Sequence, residues 1–298
     1  MSKTIIEQQA QEILVAHKLD FHIEKVPLVG AFGGKEIKSD YFGLLNTSSM
    51  EIINNVKKGY HVSQNRDVVE LVLKGVQSFP NLKVVMGGAI NGGRKVFLQL
   101  EISGLAQVGN DTIKRYITVL DSNDGTCSLS IGVGDVTMSC ANQFFKFYKK
   151  GESRFRHSAN LETRIQEIPM LIELALAESI RMIDLYKDFQ STKITRDLAH
   201  QLVNELLGKD MTMDTKILDE VVGKSRVALD SLYANIDHQI ADKGLNLWGL
   251  HSGVTRWTTH YKQAPVRHNG RLESIMSGTN YVVNQKSLDF AIRHMEMV

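Results

Sequence analysis

Residues 84–102 read VVMGGAINGGRKVFLQLEI and contain the pattern that decides the fold. The dipeptide Asn91-Gly92 is strongly preferred in type I′ hairpin turns, in which both central residues need a positive φ. After this turn, apolar residues occupy every second position from Val96 to Ile102. A period of two is typical of a strand with one buried face. This stretch therefore predicts two antiparallel strands joined by a hairpin.

Two further strands are predicted downstream, at Ile113–Leu120 and Cys127–Ser139, on either side of the turn Asn123-Asp124-Gly125. Asn, Asp and Gly favour turns because their side chains or backbone tolerate turn conformations. Together, the segments predict an antiparallel meander of about four strands over residues 84–139.

Helical periodicity surrounds the predicted meander. Apolar residues recur at spacings of three and four in residues 66–78, with Asn65 as the predicted cap, and again in residues 161–190. Pro169 should kink the second helix unless the helix starts there. We therefore predict an α+β fold, in which a central antiparallel β-meander of about four strands is packed by helices and followed by a helical C-terminal part. Residues 1–190 are predicted to form an α+β core domain and residues 191–298 a helical C-terminal region.

Composition indicates a globular protein of a reducing cytoplasm. Of the 298 residues, 43% are apolar and 23% charged, and the net charge is only +2, so no overall charge indicates a nucleic-acid or membrane partner. Two cysteines are too few for a disulfide scaffold. The opening MSKTIIEQQAQEIL lacks the apolar stretch of a signal peptide, and no apolar run approaches the ~18 residues of a membrane span. We expect a cytoplasmic protein without membrane association.

Several segments match a known family in order and spacing over about residues 20–298. They are YFGLLNTSSMEIINNVKKGYHVSQNRDVVELV (41–72), TVLDSNDGTCSLSIGVGDVTMSCANQF (118–144), RHS (156–158) and LHSGVTRWTTHY (250–261). These segments resemble the phage- and plasmid-borne "domain of unknown function 932" family. The most specific parts are the Asp-Gly turn followed by Cys140-x-Asn142, and Arg156-His157-Ser158. The resemblance implies an origin in a mobile element and carries no activity with it.

The chain departs from the family pattern at two places. Thr137 stands where the family often has Arg, and Ser252-Gly253-Val254-Thr255-Arg256 stands where it often has Asn-Ala-Val-Thr-Glu. Asn142 and His157 match the family, and two roles are open for them: ligand binding, or hydrogen bonding to buried backbone groups.

The segment 143–164, QFFKFYKKGESRFRHSANLETR, interleaves cations with aromatic residues. Cations that follow phosphates, and aromatic faces on which bases stack, are what sequence-tolerant binding of a single strand requires. The alternative is that the aromatics are core residues and the cations their solvated edges. Gly92-Gly93-Arg94-Lys95 adds two cations at the predicted hairpin tip. The predicted nucleic-acid-binding residues are Arg94, Lys95, Lys146, Tyr148, Lys149, Lys150, Arg154, Phe155, Arg156, His157, Arg164 and Arg256.

A second basic segment, residues 243–272, contains no Asp or Glu. In its predicted helix, 246–262, Trp257 lies on the apolar stripe and is expected in the core. Arg256 and His260, four residues apart, are placed to meet one phosphate or one carboxylate of a partner. This face supports the alternative hypothesis, an antirestriction or takeover factor that binds an acidic host protein.

Enzyme signatures are weak. Asp20 with Glu36-x-Lys38 has the residue types of a metal-dependent nuclease but lacks a solid buried strand between them. Asp121, Asp124 and Asp135 have the carboxylates of a metal site, but Asp121 and Asp124 are better explained by backbone hydrogen bonds in turns. Cys127 and Cys140 are expected to be buried thiols, and a Cys140–His157 pair lacks an orienting acid. We therefore expect no catalytic residue, metal or cofactor.

The order of helix, meander and long helix also resembles the core of phage single-strand annealing proteins, an analogy of fold alone. The leading hypothesis is a non-enzymatic single-stranded DNA-binding protein of a phage or plasmid, which forms a homo-oligomer so that weak contacts add together.

Overall fold

The computed structural model describes residues 3–147, 154–155, 165–207, 224–267 and 269–296. Its α-helices are α1 (Lys3–Ala16), α2 (Asn65–Gln77), α3 (Ile168–Ser191), α4 (Arg196–Leu207), α5 (Lys224–Lys243), α6 (Leu247–Arg256), α7 (Gly270–Met276) and α8 (Thr279–Met295). Its strands are β1 (Ile23–Phe32), β2 (Lys35–Asn46), β3 (Glu51–Lys57), β4 (Leu82–Ile90), β5 (Lys95–Val108), β6 (Asp111–Ser122), β7 (Leu129–Thr137), β8 (Gln143–Phe147) and β9 (Arg154–Phe155). The predicted α+β class is confirmed.

The chain divides into two compact units. The first contains Met1–Ser103, Tyr116–Val133 and Phe147–Glu178, and the second contains Gly104–Arg115, Gly134–Lys146 and Ser179–Val298. Each unit thus combines segments that are distant in sequence. The predicted division into domains at residue 190 stays a prediction.

The first unit contains a sheet with the strand order β1-β2-β3. Gly30, Gly33 and Gly34 predict short strands that are broken at these glycines. The structure corrects this prediction, because β1 and β2 are long, Gly30 lies within β1, and Gly33 and Gly34, both with positive φ, form the turn between the two strands. The sheet packs around a cluster of Ile23, Leu44, Ile53 and Val56, with Phe21, Phe42, Tyr60 and Val62 at its edge.

The predicted meander is the major part of the second sheet. Strands β4 to β7 are neighbours in sequence order, β8 adds to β7, and β9 pairs with β7 as well. The prediction of about four strands omits β8 and β9, because the charges and aromatics of that segment favour a binding role over a strand. The hairpin between Ile90 and Lys95 is confirmed, although its loop has four residues, of which Asn91, Gly92 and Gly93 have positive φ.

Helix α2 packs on the meander, as predicted. A small cavity of about 20 Å³ is lined by Val68 and Val69 from the helix and by residues of β5 and β6. The expected cap, Asn65, instead lies inside the first turn, and its side-chain amide donates to the carbonyl of Leu19 (3.0 Å). Asn65 therefore ties the helix to the preceding segment.

Helix α3 begins at Ile168, directly after a short 3₁₀ turn at Ile165–Glu167. Pro169 is thus in the first turn, where its missing N–H costs no hydrogen bond, and this resolves the alternative left by the sequence. Gly75 of α2 lies against this turn, since a β-carbon there would be 2.6 Å from the Ile172 side chain and 3.1 Å from Pro169 Cα. The close approach of the two helices requires a residue without a side chain.

Helices α5 and α6 of the second unit approach each other at two glycines. A β-carbon at Gly249 would lie 3.4 Å from Ile240 Cα, and one at Gly253 would lie 2.5 Å from Ile236 Cα. Trp257, in the π-helical turn after α6, is 3% exposed, which confirms it as a core residue. None of the helices in the described ranges has the length and hydropathy needed to span a membrane.

Candidate functional site

The acidic turn, residues 121–127, is the first cluster of polar side chains built by a family-like segment. Asp121 accepts a hydrogen bond from the Ser122 N–H (2.8 Å), and Asp124 accepts from the N–H and hydroxyl of Thr126 (3.0 and 2.6 Å). The Ser122 hydroxyl donates to the Cys127 carbonyl (2.7 Å). The prediction that Asp124 serves turn geometry is confirmed, whereas Asp121 lies at the end of β6 and bonds to the next backbone N–H there.

Residues of a second family-like segment pack on this acidic turn. The Tyr60 hydroxyl donates to the Ser122 carbonyl (3.2 Å), and the Ser63 hydroxyl donates to Asp121. Burial and the carboxylates of Asp121 and Asp124 raise the pKa of Tyr60 well above its usual value, so that Tyr60 remains a donor. Both segments carry the family resemblance, but no local signal in the sequence indicates that they meet.

Cys127, at the end of the acidic turn, is half-buried rather than buried as expected. Burial and the charge of Asp121 raise the pKa of its thiol to about 11. Because the thiolate is the reactive form, this environment disfavours nucleophilic chemistry at Cys127.

The hairpin tip is anchored to the acidic turn. The Arg94 carbonyl accepts hydrogen bonds from the N–H groups of Asn123 (2.8 Å) and Asp124 (3.2 Å), while the Asn123 amide donates to the Gly93 carbonyl (3.0 Å). Arg94 and Lys95 are both half-buried. We predict that the two cations close over a bound strand, and these bonds fix the backbone of Gly93 and Arg94 at the hairpin tip.

Strand β8 contains three aromatics and one cation of the predicted binding segment. Phe144, Phe145 and Phe147 are 4%, 1% and 3% exposed, so these three aromatics are core residues. Lys146 is half-buried, with its Nζ 3.7 Å from the sulfur of Met182. For this strand, the structure supports the alternative of core aromatics beside a partly solvated cation.

Most of the other predicted binding residues lie outside the described residues. This holds for Tyr148, Lys149, Lys150, Arg156, His157 and Arg164. Arg154 and Phe155 are described in their backbone, which pairs with Ser130 and Leu129 of β7. The Cys140–His157 pair, which the sequence disfavours because no acid orients it, includes His157 and so also lies partly outside the described residues.

The basic segment 243–272 has internal partners for its cations. Arg256 donates to Asn235 (2.6 Å) and to the Tyr261 hydroxyl (3.1 Å), and its guanidinium lies 4.9 Å from the Tyr261 ring centre. Arg267 forms an ion pair with Glu273 at 2.5 Å. Arg271 donates to two backbone carbonyls, those of Thr259 and Lys262. A stretch without acidic residues therefore does not amount to an unpaired positive face.

Lys243, the first cation of that segment, is buried in an ion pair. Its Nζ lies 2.6 Å from Asp111 and 3.0 Å from Asp242, and Asp111 also accepts from Trp248 Nε1 (2.8 Å). Burial lowers the pKa of Lys243, but the bonds to the two carboxylates outweigh it and raise the pKa above its ordinary value. The pair lines a cavity of about 120 Å³ together with Ser139. It holds β6 to the end of α5, a tertiary contact without a local sequence signal.

His260 is predicted to act with Arg256 on one phosphate or carboxylate. Its Nε2 lies 3.0 Å from the carbonyl of Cys140, to which it donates. Burial is the main cause that lowers the pKa of His260, and the nearby charges of Arg256 and Arg271 lower it further. The ring therefore has a structural partner in the turn between β7 and β8.

The second unit has a polar interior, in which Asp135, Tyr186 and His251 are the central residues. Tyr186 donates to Asp135 Oδ2 (3.0 Å), and Oδ1 has no partner among the described residues. Burial raises the pKa of Asp135 to about 7, against the lowering effects of the Tyr186 bond and of the Arg115 charge. His251 Nδ1 lies 3.0 Å from Ser287 Oγ, and burial lowers the pKa of the imidazole to about 4.

Asn142, one of the family-like residues, belongs to the same polar interior. Its amide donates to the carbonyl of Ser252 (3.2 Å) and to Gln239 (3.4 Å), while its Oδ1 has no partner within the described ranges. The structural role considered for Asn142 is thus present, since it links the turn after β7 to α5 and α6.

The described residues hold no group of three or more His, Cys, Asp or Glu side chains placed to bind a metal ion. The groups with the largest pKa shifts, among them Asp135, Tyr186 and His251, are buried and bound to neighbouring residues. Their arrangement stabilises the two units from within.

Comparison with known proteins adds one finding. The family model described as "Domain of unknown function (DUF932)" matches residues 53–288, which covers the acidic turn, the residues that pack on it and most of the second unit. Neither the curated proteins nor the solved structures include a significant match to this chain. Because the family model matches most of the sequence, the chain belongs to the DUF932 family.

Proposed function

We propose that the protein is a non-enzymatic single-stranded DNA-binding protein of a phage or plasmid, of the type that anneals complementary strands. The observation that carries the proposal is the segment between β8 and β9. Both strands pair with β7, and the chain between them contains Tyr148, Lys149 and Lys150. A basic connection between two strands that each pair with β7 supplies cations that can contact phosphates next to the sheet.

The core position of the β8 aromatics sharpens this proposal. Because Phe144, Phe145 and Phe147 are buried, base stacking is assigned to Tyr148 and Phe155 alone. Backbone neutralisation by cations then dominates the affinity, and binding is strongly dependent on salt.

The competing function, recognition of an acidic host protein by residues 243–272, has less support. Its cations Arg256, Arg267 and Arg271 are engaged by side chains or carbonyls of the same chain. An acidic partner would have to displace these contacts.

The test is a fluorescence-anisotropy titration with a labelled single strand of about 40 nucleotides at several salt concentrations. The variant Lys149→Ala/Lys150→Ala/Arg156→Ala should flatten the slope of log K against log salt by about 2, since each phosphate contact on a single strand contributes about 0.7. A matched control removes three exposed cations elsewhere, Lys57→Ala/Lys74→Ala/Lys83→Ala, and should leave the slope unchanged.

Absence of binding by the unaltered protein at low salt would overturn the proposal, as would equal slopes for the variant and the unaltered protein. In either case, the capture of a host protein from lysate becomes the next experiment.

A further inference from the structure

The outer part of the β1–β2 hairpin forms an exposed arm, defined here as residues 29–38. The register shifts between Pro27 and Val29, and beyond this irregularity the pairs run from Val29↔Lys38 to Phe32↔Lys35. Every residue of the arm is exposed. Irregularities of this kind bend a strand and redirect the residues beyond them, so the arm begins where the packed part of the sheet ends.

The arm exposes large apolar side chains on both faces. Phe32 is 80% exposed, Ile37 55% and Val29 51%. A two-stranded ribbon with both faces in water is marginally stable by itself. Covering these side chains would stabilise the arm.

One edge of the arm is also open. Strand β3 pairs with β2 only from Tyr41 to Asn46, so within the described residues Lys35–Lys38 has a strand neighbour on the β1 side alone. The backbone groups of such an edge can add a strand from another chain. The open edge of Lys35–Lys38 can therefore pair with a strand of another chain.

We propose that the partner is a second copy of this chain, bound through antiparallel pairing of the two Lys35–Lys38 edges with Ile37 opposite Ile37. A closed dimer uses the same surface on both copies, and a two-fold axis perpendicular to an antiparallel pair places one residue opposite itself. The remaining question is which residue lies at the centre.

The charges of Lys35–Lys38 determine which residue lies at the two-fold axis of the dimer. With Ile37 at the centre, Glu36 of each copy lies opposite Lys38 of the other, which gives two opposite-charge pairs. With Glu36, Lys38 or Lys35 at the centre, that residue would face its own copy, and like charges directly opposite each other are destabilising. The sequence of the edge is therefore complementary to itself in one register, and this complementarity identifies a second copy as the occupant. The inference does not depend on DNA binding.

The test measures the molar mass of the full-length protein by sedimentation equilibrium without DNA. The unaltered protein should form dimers. Glu36→Lys and Lys38→Glu each convert both symmetric pairs to repulsive ones and should weaken dimerisation about tenfold or more. The double variant Glu36→Lys/Lys38→Glu exchanges the charges and should restore the dimer. The matched control Lys35→Glu makes the same charge change opposite Ser39 and should dimerise like the unaltered protein.

Cross-linking provides a second measurement. Under mild oxidation Ile37→Cys should give covalent dimers, because directly opposite residues lie close enough for a disulfide, whereas Lys35→Cys should not. A monomeric unaltered protein would overturn the proposal. So would a double variant that remains as weak as the single ones, or a Lys35→Glu control that weakens dimerisation equally. Because all altered residues are exposed, circular dichroism should show an unchanged fold.

Discussion

The acidic turn of the first unit and the polar interior of the second unit bury similar groups in different ways. In the turn, Asp121 and Asp124 each accept a hydrogen bond from a neighbour in sequence, Ser122 and Thr126 respectively, and Asp121 has the distant Ser63 as a second donor. In the polar interior, the donor to Asp135 is a residue fifty-one positions away, Tyr186. The side chains of the interior also leave more polar atoms without a partner among the described residues.

This difference shows how the source of a hydrogen bond decides the cost of burial. A turn supplies donors from the same few residues, so the carboxylate and its partners are buried together. In the second unit, helices and strands bury Asp135 and His251, and each of these side chains keeps one polar atom without a partner among the described residues. The cost of burying the charged form then appears as a shifted pKa.

The largest expected effect tests the buried carboxyl. The pKa of Asp135 is about 7 in the folded state and 3.8 for the free group, so the folded state holds the proton more tightly. The stability that this raised pKa of Asp135 contributes is fully present below pH 3.8 and is lost as the pH rises through about 7. Asp135→Asn, which still accepts from Tyr186, should raise the free energy of unfolding above neutral pH by up to about 4 kcal/mol. Urea unfolding at a series of pH values measures this change.

His251 provides the matched counterpart, because its effect has the opposite sign. Its pKa falls from 6.5 to about 4 on folding, so stability decreases as pH falls from 6.5 toward 4. In the unaltered protein, the opposite effects of Asp135 and His251 on the free energy of unfolding partly cancel between pH 4 and 6.5. Asp135→Asn should therefore expose a loss of stability in acid, and His251→Gln should reduce that loss. Identical pH profiles for both variants and the unaltered protein would contradict the buried, opposing pair.

An intermediate effect is expected at the helix contact that encloses the polar interior. Gly253→Ala places a methyl group 2.5 Å from Ile236 Cα, and the helices must separate to accept it. We expect a loss of about 1 to 3 kcal/mol in the free energy of unfolding, despite the better helix propensity of Ala. Gly59→Ala is the control, because a β-carbon at that position has no atom within 4 Å. Equal unfolding curves for the two variants would show that the contact is not tight.

The smallest effect is expected in the acidic turn. Ser63→Ala removes one donor to Asp121 and leaves the donor of Ser122 in place. The expected cost is about 1 kcal/mol, near the net value of one hydrogen bond. Chemical denaturation should show it, with Ser78→Ala, an exposed position at the end of α2, as the control. A loss larger than that of Gly253→Ala would reverse the comparison between the two regions.

Sequence patterns predict the elements that have a strong local signal. Asn91-Gly92 predicts the hairpin, the alternation after Val96 predicts β5, and helical spacing predicts α2. Strand β8 is missed because its aromatics and cations together resemble a binding segment, although its apolar residues are those of a buried strand. The length of β1 and β2 is missed because glycines ordinarily indicate strand breaks.

The candidate sites are predicted less completely than the fold. The turn role of Asp124 follows from Asp-Asn-Gly chemistry and is confirmed, whereas Asp121, for which the same role is predicted, lies at the end of β6. The contact of Tyr60 and Ser63 with that turn, and the pair of Asp111 with Lys243, join residues too far apart for any periodicity to connect. The basic segment 243–272 looks unpaired in the sequence because Glu273 and Asn235 lie outside it.

The sequence by itself determined the α+β class, the hairpin, the turn chemistry of the acidic residues and the family, because each depends on residue types and on their order and spacing along the chain. Only the tertiary structure decided which cations are paired, which carboxyl is buried without its full set of partners, and which strand edge is open. These properties depend on the segments that pack around a residue. Since water is excluded by atoms from distant parts of the chain, burial and pairing are set by the fold as a whole.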